Sequence, residues 1–215
     1  MSFDDILKKI KKTPNKSFYA QKAIDSKIFG WKDIEAIINN PSMAVIGLIE
    51  NNNEKHFSQR CTVMHSRFLY DKIKEGNTFF IADISRWNKE INEICKKIEK
   101  STGLVSQIHA YAGYNSKCKS FTIHCDPPHN LIMQVDGVSL WTVYKENGDQ
   151  PGPPTLNKKL TIDFQVNLNP GDLIYVPSGR YHYNQPNAKR ISLSMPFTNT
   201  YNNPPDNLQR EWFKF

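Results

Sequence analysis

The stretch SFTIHCDPPHNL, residues 120 to 131, places a histidine and an aspartate two positions apart, His124 and Asp126. An extended chain sends residues i and i+2 to the same face, so these two side chains can grip one metal ion while Cys125 points away. A third candidate ligand, His182, lies 56 residues beyond Asp126 in NPGDLIYVPSGRYHYNQP, residues 169 to 186. It must reach the same point from another strand folded back across a barrel. Two neutral imidazoles and one carboxylate occupy one face of an octahedral Fe(II) and leave three positions open for a bidentate cosubstrate and O2. Catalysis needs those open positions, and a structural site does not. The competing reading of an H-x-D is a surface His-Asp pair on an edge strand.

The flanking residues favour the metal site. Asp126 is followed by Pro127 and Pro128, then by LIMQVDGVSLWTVY (131–144), which reads as an apolar strand, a turn at Asp136-Gly137 and a second strand. Before His182, Pro170-Gly171-Asp172 makes one turn, LIYV an apolar strand and Pro177-Ser178-Gly179 a second turn. The candidate ligands therefore sit at strand ends beside turns.

Residues 106 to 144, together with 168 to 185, resemble the JmjC-type cupin oxygenases, in particular the ribosomal oxygenases and the asparaginyl hydroxylase of hypoxia-inducible factor. The order H-x-D, Q-x-x-G-x-x-x-W and P-G-D-x-x-x-x-P-x-x-x-x-H appears here as His124 and Asp126, then Gln134, Gly137 and Trp141, then Pro170, Gly171, Asp172, Pro177 and His182. The resemblance is dense over 105 to 197 and continues weakly upstream through residues 17 to 40. It implies an α+β fold: a double-stranded β-helix (jelly roll, cupin) buttressed by N-terminal helices. It also implies Fe(II), 2-oxoglutarate and O2 as cofactors, and His124, Asp126 and His182 as the catalytic metal triad. The reaction implied is oxidative decarboxylation of 2-oxoglutarate to succinate and CO2, leaving a hydroxyl group on a side chain of a protein or peptide.

At the cosubstrate the chain departs from that pattern. The hydroxylases it resembles carry a Lys or Arg thirteen residues after the metal-binding Asp, and position 139 is Ser139. A serine donates one hydrogen bond but cannot offset a buried negative charge. The substitute is Arg190 in KRISLSMPF, eight residues after His182, with Ser192 on the same face of its strand. Other 2-oxoglutarate oxygenases, such as the prolyl hydroxylases, use an Arg at about this separation, and a guanidinium offers the planar fork a carboxylate prefers. The alternative for Arg190 is a surface cation at the start of an edge strand, with Lys189 as its equivalent. By the same resemblance Asn130 and Tyr111 lie near the cosubstrate. His109 is read as a core histidine in preference to a pocket residue, and His56, His65 and His129 as surface or core residues. Trp141, Tyr144, Tyr175 and Tyr181 read as barrel packing.

Composition agrees with one compact domain over 1–215: a helical part to about 104, a jelly-roll core over about 105–197 and a short tail. At 215 residues, 39% hydrophobic and 12% aromatic, the chain can bury a single core of this size. The formal charge of +7 is concentrated in LKKIKK (7–12) and KKIEK (96–100), which read as solvated helix faces, with a nucleic-acid partner as the less favoured reading. Cys61, Cys95, Cys118 and Cys125 form no C-x-x-C pair and read as reduced intracellular thiols. With no leader-like or membrane-spanning apolar run, the expectation is a soluble cytoplasmic protein; its oligomeric state is not legible. The chain stops about 18 residues after its last strand, so the C-terminal dimerisation and winged-helix portions of the ribosomal oxygenases are expected to be missing.

Periodicity places helices over 3–12, behind an N-capping Ser2, and over 31–39 and 86–103, with a helical return over 61–76. AVIGLI (44–49) and FFIADI (79–84) read as strands, NNNEKHFSQR (51–60) as a polar loop, and 147 to 154 as a turn-rich loop that either faces the substrate or is plain solvent loop. Three other functions stay open: a 2-oxoglutarate oxygenase of a small molecule or tRNA base, a non-catalytic metal-binding cupin, and a small-cupin isomerase or dioxygenase with His109 or His129 as a further ligand.

Overall fold

The computed structural model describes residues 1–40, 46–49, 58–61, 66–118, 120–186 and 188–199. Helix α1 (Phe3–Lys12) starts where the Ser2 hydroxyl accepts the Asp5 N–H, with Asp4 and Asp5 in its first turn and lysines in its last, matching the helix dipole at both ends. Strand β1 (Phe18–Ala20) and helix α2 (Trp31–Asn39) follow. Next come β2 (Ile46–Ile49), β3 (Ser58–Cys61), α3 (Ser66–Glu75) and β4 (Thr78–Ile81). Helix α4 (Lys89–Thr102) is capped by the Asn88 side chain and stops at Gly103, whose φ of 73° is the left-handed conformation a glycine adopts without strain. The rest is strand: β5 (Val105–Ser106), β6 (His109–Gly113), β7 (His129–Asp136), β8 (Ser139–Asn147), β9 (Ile162–Leu168), β10 (Leu173–Val176), β11 (Arg180–Pro186) and β12 (Arg190–Thr198).

These strands form a double-stranded β-helix. One sheet runs β1-β10-β7-β12-β6-β4-β2-β3, with β5 added on β12, and it faces a smaller sheet β11-β8-β9. Alternation divides the large sheet cleanly. On its outer face Leu131, Met133, Ile191, Leu193, Met195 and Phe197 join one core with Ile6, Ile10, Ile34, Ile91 and Ile98 of the helices. Inside the barrel, Ile132, Ile174 and Val176 pack on Trp141, Val143 and Leu168 of the small sheet.

The barrel's two ends differ. At one end the β7–β8 turn, with Gly137 at φ 68°, meets the β11–β12 connection. There Lys189 Nζ lies 4.3 Å from the Trp31 ring centre and 4.6 Å from that of Tyr114, and Trp31 Nε1 donates to Asp136 at 2.6 Å. The opposite end, where β7 begins and β8 ends, carries His124, Asp126 and His182.

Two expectations are corrected. Ser58–Arg60, read as loop, belongs to β3, which pairs with β2; such pairing is made by backbone groups and asks for no apolar alternation. The rest of that reading, and His56 and His65, lies outside the described residues. His124 and Cys125 are not part of a regular strand. Each makes a single β-bridge, His124 to His182 and Cys125 to Gly152.

The Pro170-Gly171-Asp172 turn is held by its own aspartate, whose carboxylate accepts from the Tyr19 hydroxyl (2.8 Å) and from the Lys22 and Asn169 backbone amides (3.0 Å each). Burial raises the Asp172 pKa, but these bonds outweigh it and leave it below the ordinary value. Replacing Asp172 by alanine orphans these donors and is expected to destabilise the fold by about 2–3 kcal/mol, read as a lower urea midpoint. Because a depressed carboxyl contributes above its unfolded pKa and loses that contribution as pH falls through its folded pKa, the deficit should shrink on strong acidification.

Candidate active site

His124, Asp126 and His182 meet at the open end of the barrel, with one ligand atom from each lying within 4.8 Å of the others. Nε2 of His124 and of His182 stand 3.7 and 3.6 Å from the same Asp126 oxygen. Ligands about 2.1 Å from one ion are never more than about 4.2 Å apart, so the two imidazole–carboxylate spacings fit a shared metal. The backbone makes the pairing: His124 and His182 exchange N–H···O=C bonds of 3.1 and 2.8 Å.

Each imidazole is also oriented. Nδ1 of His124 lies 2.7 Å from the Thr122 carbonyl, and Nδ1 of His182 lies 3.0 Å from the Arg180 carbonyl. A carbonyl only accepts, so Nδ1 carries the proton and Nε2 is left as the metal-facing lone pair. Burial, aided by the charge of His124, lowers the His182 pKa to about 4, which keeps that ring neutral as a ligand must be. At His124 burial is outweighed by Asp126, and the pKa rises. Burial would raise Asp126, but the two imidazoles hold it below its ordinary value. Its side chain stays 39% exposed, so the site opens outward on the carboxylate side.

Cys125 turns away as alternation requires. It is buried, with Sγ 3.2 Å from the Gln150 carbonyl. The 147–154 loop lies against the ligand-bearing segment: Cys125 and Gly152 exchange two backbone hydrogen bonds of 3.0 Å, and Gly148 N–H donates to Gly179. Neither further histidine joins the triad. His109 Nδ1 accepts the Asp83 N–H at 3.1 Å, and His129 Nδ1 sits 2.8 Å from the Tyr175 hydroxyl on the outer face of the large sheet.

Arg190 is no surface cation. It lies on β12 between β6 and β7, is 1% exposed, and points inward beside Ser192 and Ser194. Its guanidinium donates to the Cys118 carbonyl (3.3 Å) and the Thr78 hydroxyl (3.1 Å), and its Nε has no partner. Among the described residues no carboxylate pairs with it. Burial lowers its pKa only to about 10, so it stays charged at neutral pH. Lys189, by contrast, lies over the Trp31 and Tyr114 rings.

The other expected residues divide. Ser139 is fully buried and its hydroxyl has no partner among the described residues. Ser192 donates to Gln134 (2.8 Å), and Asn130 accepts the Met195 N–H and bonds Ser194, clipping β7 to β12. Tyr111 stacks on Phe80 and meets Phe121, which in turn meets His124. Gly113 escaped the sequence reading: a Cβ there would collide with Arg190 Nη1 and with Cys118. So did the Thr78 and Cys118 acceptors, because a cross-sheet neighbour leaves no local signal.

Comparison with known proteins agrees with this geometry. The JmjC domain family profile matches residues 83–203, more than half of the chain. The chain belongs to the JmjC domain family. The uncharacterized protein YxbC of Bacillus subtilis (strain 168) is 25% identical over 199 residues, which is 80% of this chain and 58% of that protein. YcfD, a ribosomal oxygenase from Escherichia coli, superposes with a TM-score of 0.67 in its complex with cobalt and succinic acid, at 14% identity over 86% of this chain and 48% of that one. In complex with cobalt and 2-oxoglutarate it gives 0.65, at 13% identity over 91% and 57%. At this identity the likeness is one of fold, and the chain spans about half the length of these relatives. No helix among the described residues is long and apolar enough to cross a membrane.

Proposed function

We propose that this chain is an Fe(II)- and 2-oxoglutarate-dependent oxygenase that hydroxylates a side chain of a protein or peptide in the cytoplasm. The observation that carries the reading is the convergence of His124, Asp126 and His182, each imidazole already oriented through Nδ1, at the open end of a JmjC barrel. A ribosomal oxygenase among the structural neighbours supports a protein substrate. Buried thiols at Cys95, Cys118 and Cys125, none paired, support a reducing compartment.

The polar interior fits an anionic cosubstrate. A buried guanidinium without a counter-ion costs several kcal/mol, which a bound carboxylate would offset. Arg190 and Ser139 stand ready for the distal carboxylate, with Tyr111, Asn130 and Ser192 lining or bracing the same interior. Bound at the triad, Fe(II) with 2-oxoglutarate supplies O2 activation and oxidation of a C–H bond to an alcohol, as the cosubstrate is decarboxylated to succinate. The chain's own residues hold the ligand set and present Nε2 rather than Nδ1, while Lys189 packs over the Trp31 and Tyr114 rings at the far end.

Anaerobic addition of Fe(II) and 2-oxoglutarate to the protein should produce a weak visible charge-transfer band, and O2 should then yield succinate. Bound iron with no band would exclude 2-oxoglutarate as cosubstrate. Ser139, where the resemblance to the hydroxylases implies a cation, favours a second reading as a non-catalytic metal-binding barrel; band formation without succinate would support it. Gly113→Ala, which must displace Arg190, should weaken 2-oxoglutarate binding about 10-fold, a loss of roughly 1.4 kcal/mol, without changing metal affinity, as measured by paired titrations.

A further inference from the structure

The charges of this molecule are unevenly placed. Toward the closed end, residues 21–35 carry Lys22, Lys27 and Lys32 against Asp25, Asp33 and Glu35, an even balance. At the metal-bearing end that balance is lost. The C-terminal ends of α1 and α4 meet there, where Lys11 and Pro14 line one cleft with Thr102, Leu104 and His129. The turn after α1 is tied to the strands behind the triad: the Pro14 carbonyl accepts the Tyr175 hydroxyl (2.6 Å) and the Asn15 carbonyl accepts Arg180 Nη2 (3.0 Å). Arg180 also donates to the Lys145 carbonyl, and its own carbonyl orients His182. Lys11, Lys12, Lys16, Lys100 and Lys145 are therefore gathered along one rim of this end. All five are exposed, and among the described residues none forms a salt bridge. Of the carboxylates beside them, Glu99 accepts the Ser106 N–H, Glu146 the Thr161 N–H and Asp163 the Ser17 hydroxyl.

Beyond Lys145 the rim runs onto the outer face of the small sheet. Trp141 and Val143 point into the barrel, so alternation sends Leu140, Thr142 and Tyr144 outward, with Tyr183 and Gln185 of β11 beside them. Tyr144, read from the sequence as barrel packing, thus lies on the outside, close enough to Tyr183 for the two phenols to interact. Gln185, Leu140 and Asn167 form one row across the sheet, and Tyr183, Thr142 and Gln165 the next. Tyr144 and Tyr183 are half-buried, while Gln165, Asn167 and Gln185 are exposed. All four helices pack behind the large sheet, so none of them covers this face.

We propose that the rim and the sheet face beside it bind single-stranded RNA, with phosphates on the lysines and bases on Tyr144 and Tyr183. Three features choose this partner. Lysines are point charges without a fork, and the donors of Arg180 on the same rim are taken by backbone carbonyls, so the rim is a track for a polyanion and no clamp for a single carboxylate or phosphate. Half-exposed aromatic rings on an open sheet offer unpaired bases a stacking surface, which an acidic peptide does not use. The exposed amides of Asn167 and Gln185 both donate and accept, as a ribose 2′-hydroxyl does. A protein substrate carried on RNA would thereby be held at the metal-bearing end. The inference goes beyond the oxygenase reading and is measured on metal-free protein, so either can fail without the other.

Fluorescence anisotropy of a labelled, mixed-sequence RNA of about 15 nucleotides with the full chain should show binding that weakens steeply with salt. Lys16→Glu/Lys145→Glu should weaken it by at least about 10-fold and lower the salt slope by about 1.4. Lys27→Glu/Lys32→Glu, the same charge change toward the closed end, should cost less than about 3-fold. Tyr183→Leu should weaken binding about 10-fold with the salt slope unchanged, since stacking releases no counterions. Each variant should melt within about 3 °C of wild type, because the substituted side chains lie at the surface. No binding by the wild type, or equal losses from the two charge reversals, overturns the rim. Undiminished affinity in Tyr183→Leu overturns the sheet face. Equally tight binding of polyglutamate, or of DNA of the same sequence, overturns RNA as the partner.

Discussion

Asp126→Ala is expected to abolish metal-dependent turnover and to weaken Mn(II) or Fe(II) binding by at least about 100-fold, as measured by anaerobic calorimetry. Asp126 is the only anionic member of the triad. Without it two neutral imidazoles face a divalent cation with no charge to offset the cost of stripping its water. The fold should survive. Asp126 contributes its backbone carbonyl to Gly179 N–H, and alanine retains that bond. Its carboxylate is 39% exposed, so no buried cavity is left behind. Near-UV circular dichroism should match wild type. Wild-type metal affinity in a folded Asp126→Ala would place the metal elsewhere and overturn the triad.

The second large effect is expected at Arg190, where binding and stability should move in different directions. Arg190→Met should weaken 2-oxoglutarate by at least about 100-fold, or roughly 2.7 kcal/mol, because the distal carboxylate loses its cation. The ligand-free protein should not be destabilised by more than about 1 kcal/mol. Arg190 is 1% exposed, with only neutral acceptors bonded to it among the described residues, so removing its charge also removes an uncompensated desolvation cost. Thermal unfolding with and without succinate separates the two quantities. Moving the cation to position 139, in Ser139→Lys/Arg190→Met, should restore part of the lost affinity, since both positions face inward at the closed end. Full 2-oxoglutarate affinity in Arg190→Met would show that Arg190 anchors nothing.

Much of the site was legible because it rests on short-range rules. The i, i+2 relation of His124 and Asp126 survives even though a regular strand was expected and only isolated bridges formed, since one extended peptide is enough to set their direction. The turns at Gly137, Gly171 and Gly179 were readable because positive φ selects glycine. Ser58–Arg60 was misread because an edge strand is recruited by its neighbour's backbone, which leaves no mark on side-chain pattern.

Spacing and alternation by themselves pointed to His124, Asp126 and His182 as candidate metal ligands, while the resemblance to the JmjC-type cupin oxygenases supplied the class of barrel and the choice of Arg190 for the cation absent at position 139. Only the tertiary structure decided that Arg190 is buried without a counter-ion, that Gly113 makes room for it, and that carbonyls of Thr122 and Arg180 orient the two imidazoles. It alone left buried side-chain atoms of Trp141 and Asn184, paired residues of the small sheet, without a hydrogen-bond partner among the described residues. The division has a physical cause. Direction along a strand is a local property of the backbone, whereas desolvation and hydrogen-bond satisfaction depend on what other strands, distant in sequence, bring to the same few ångströms.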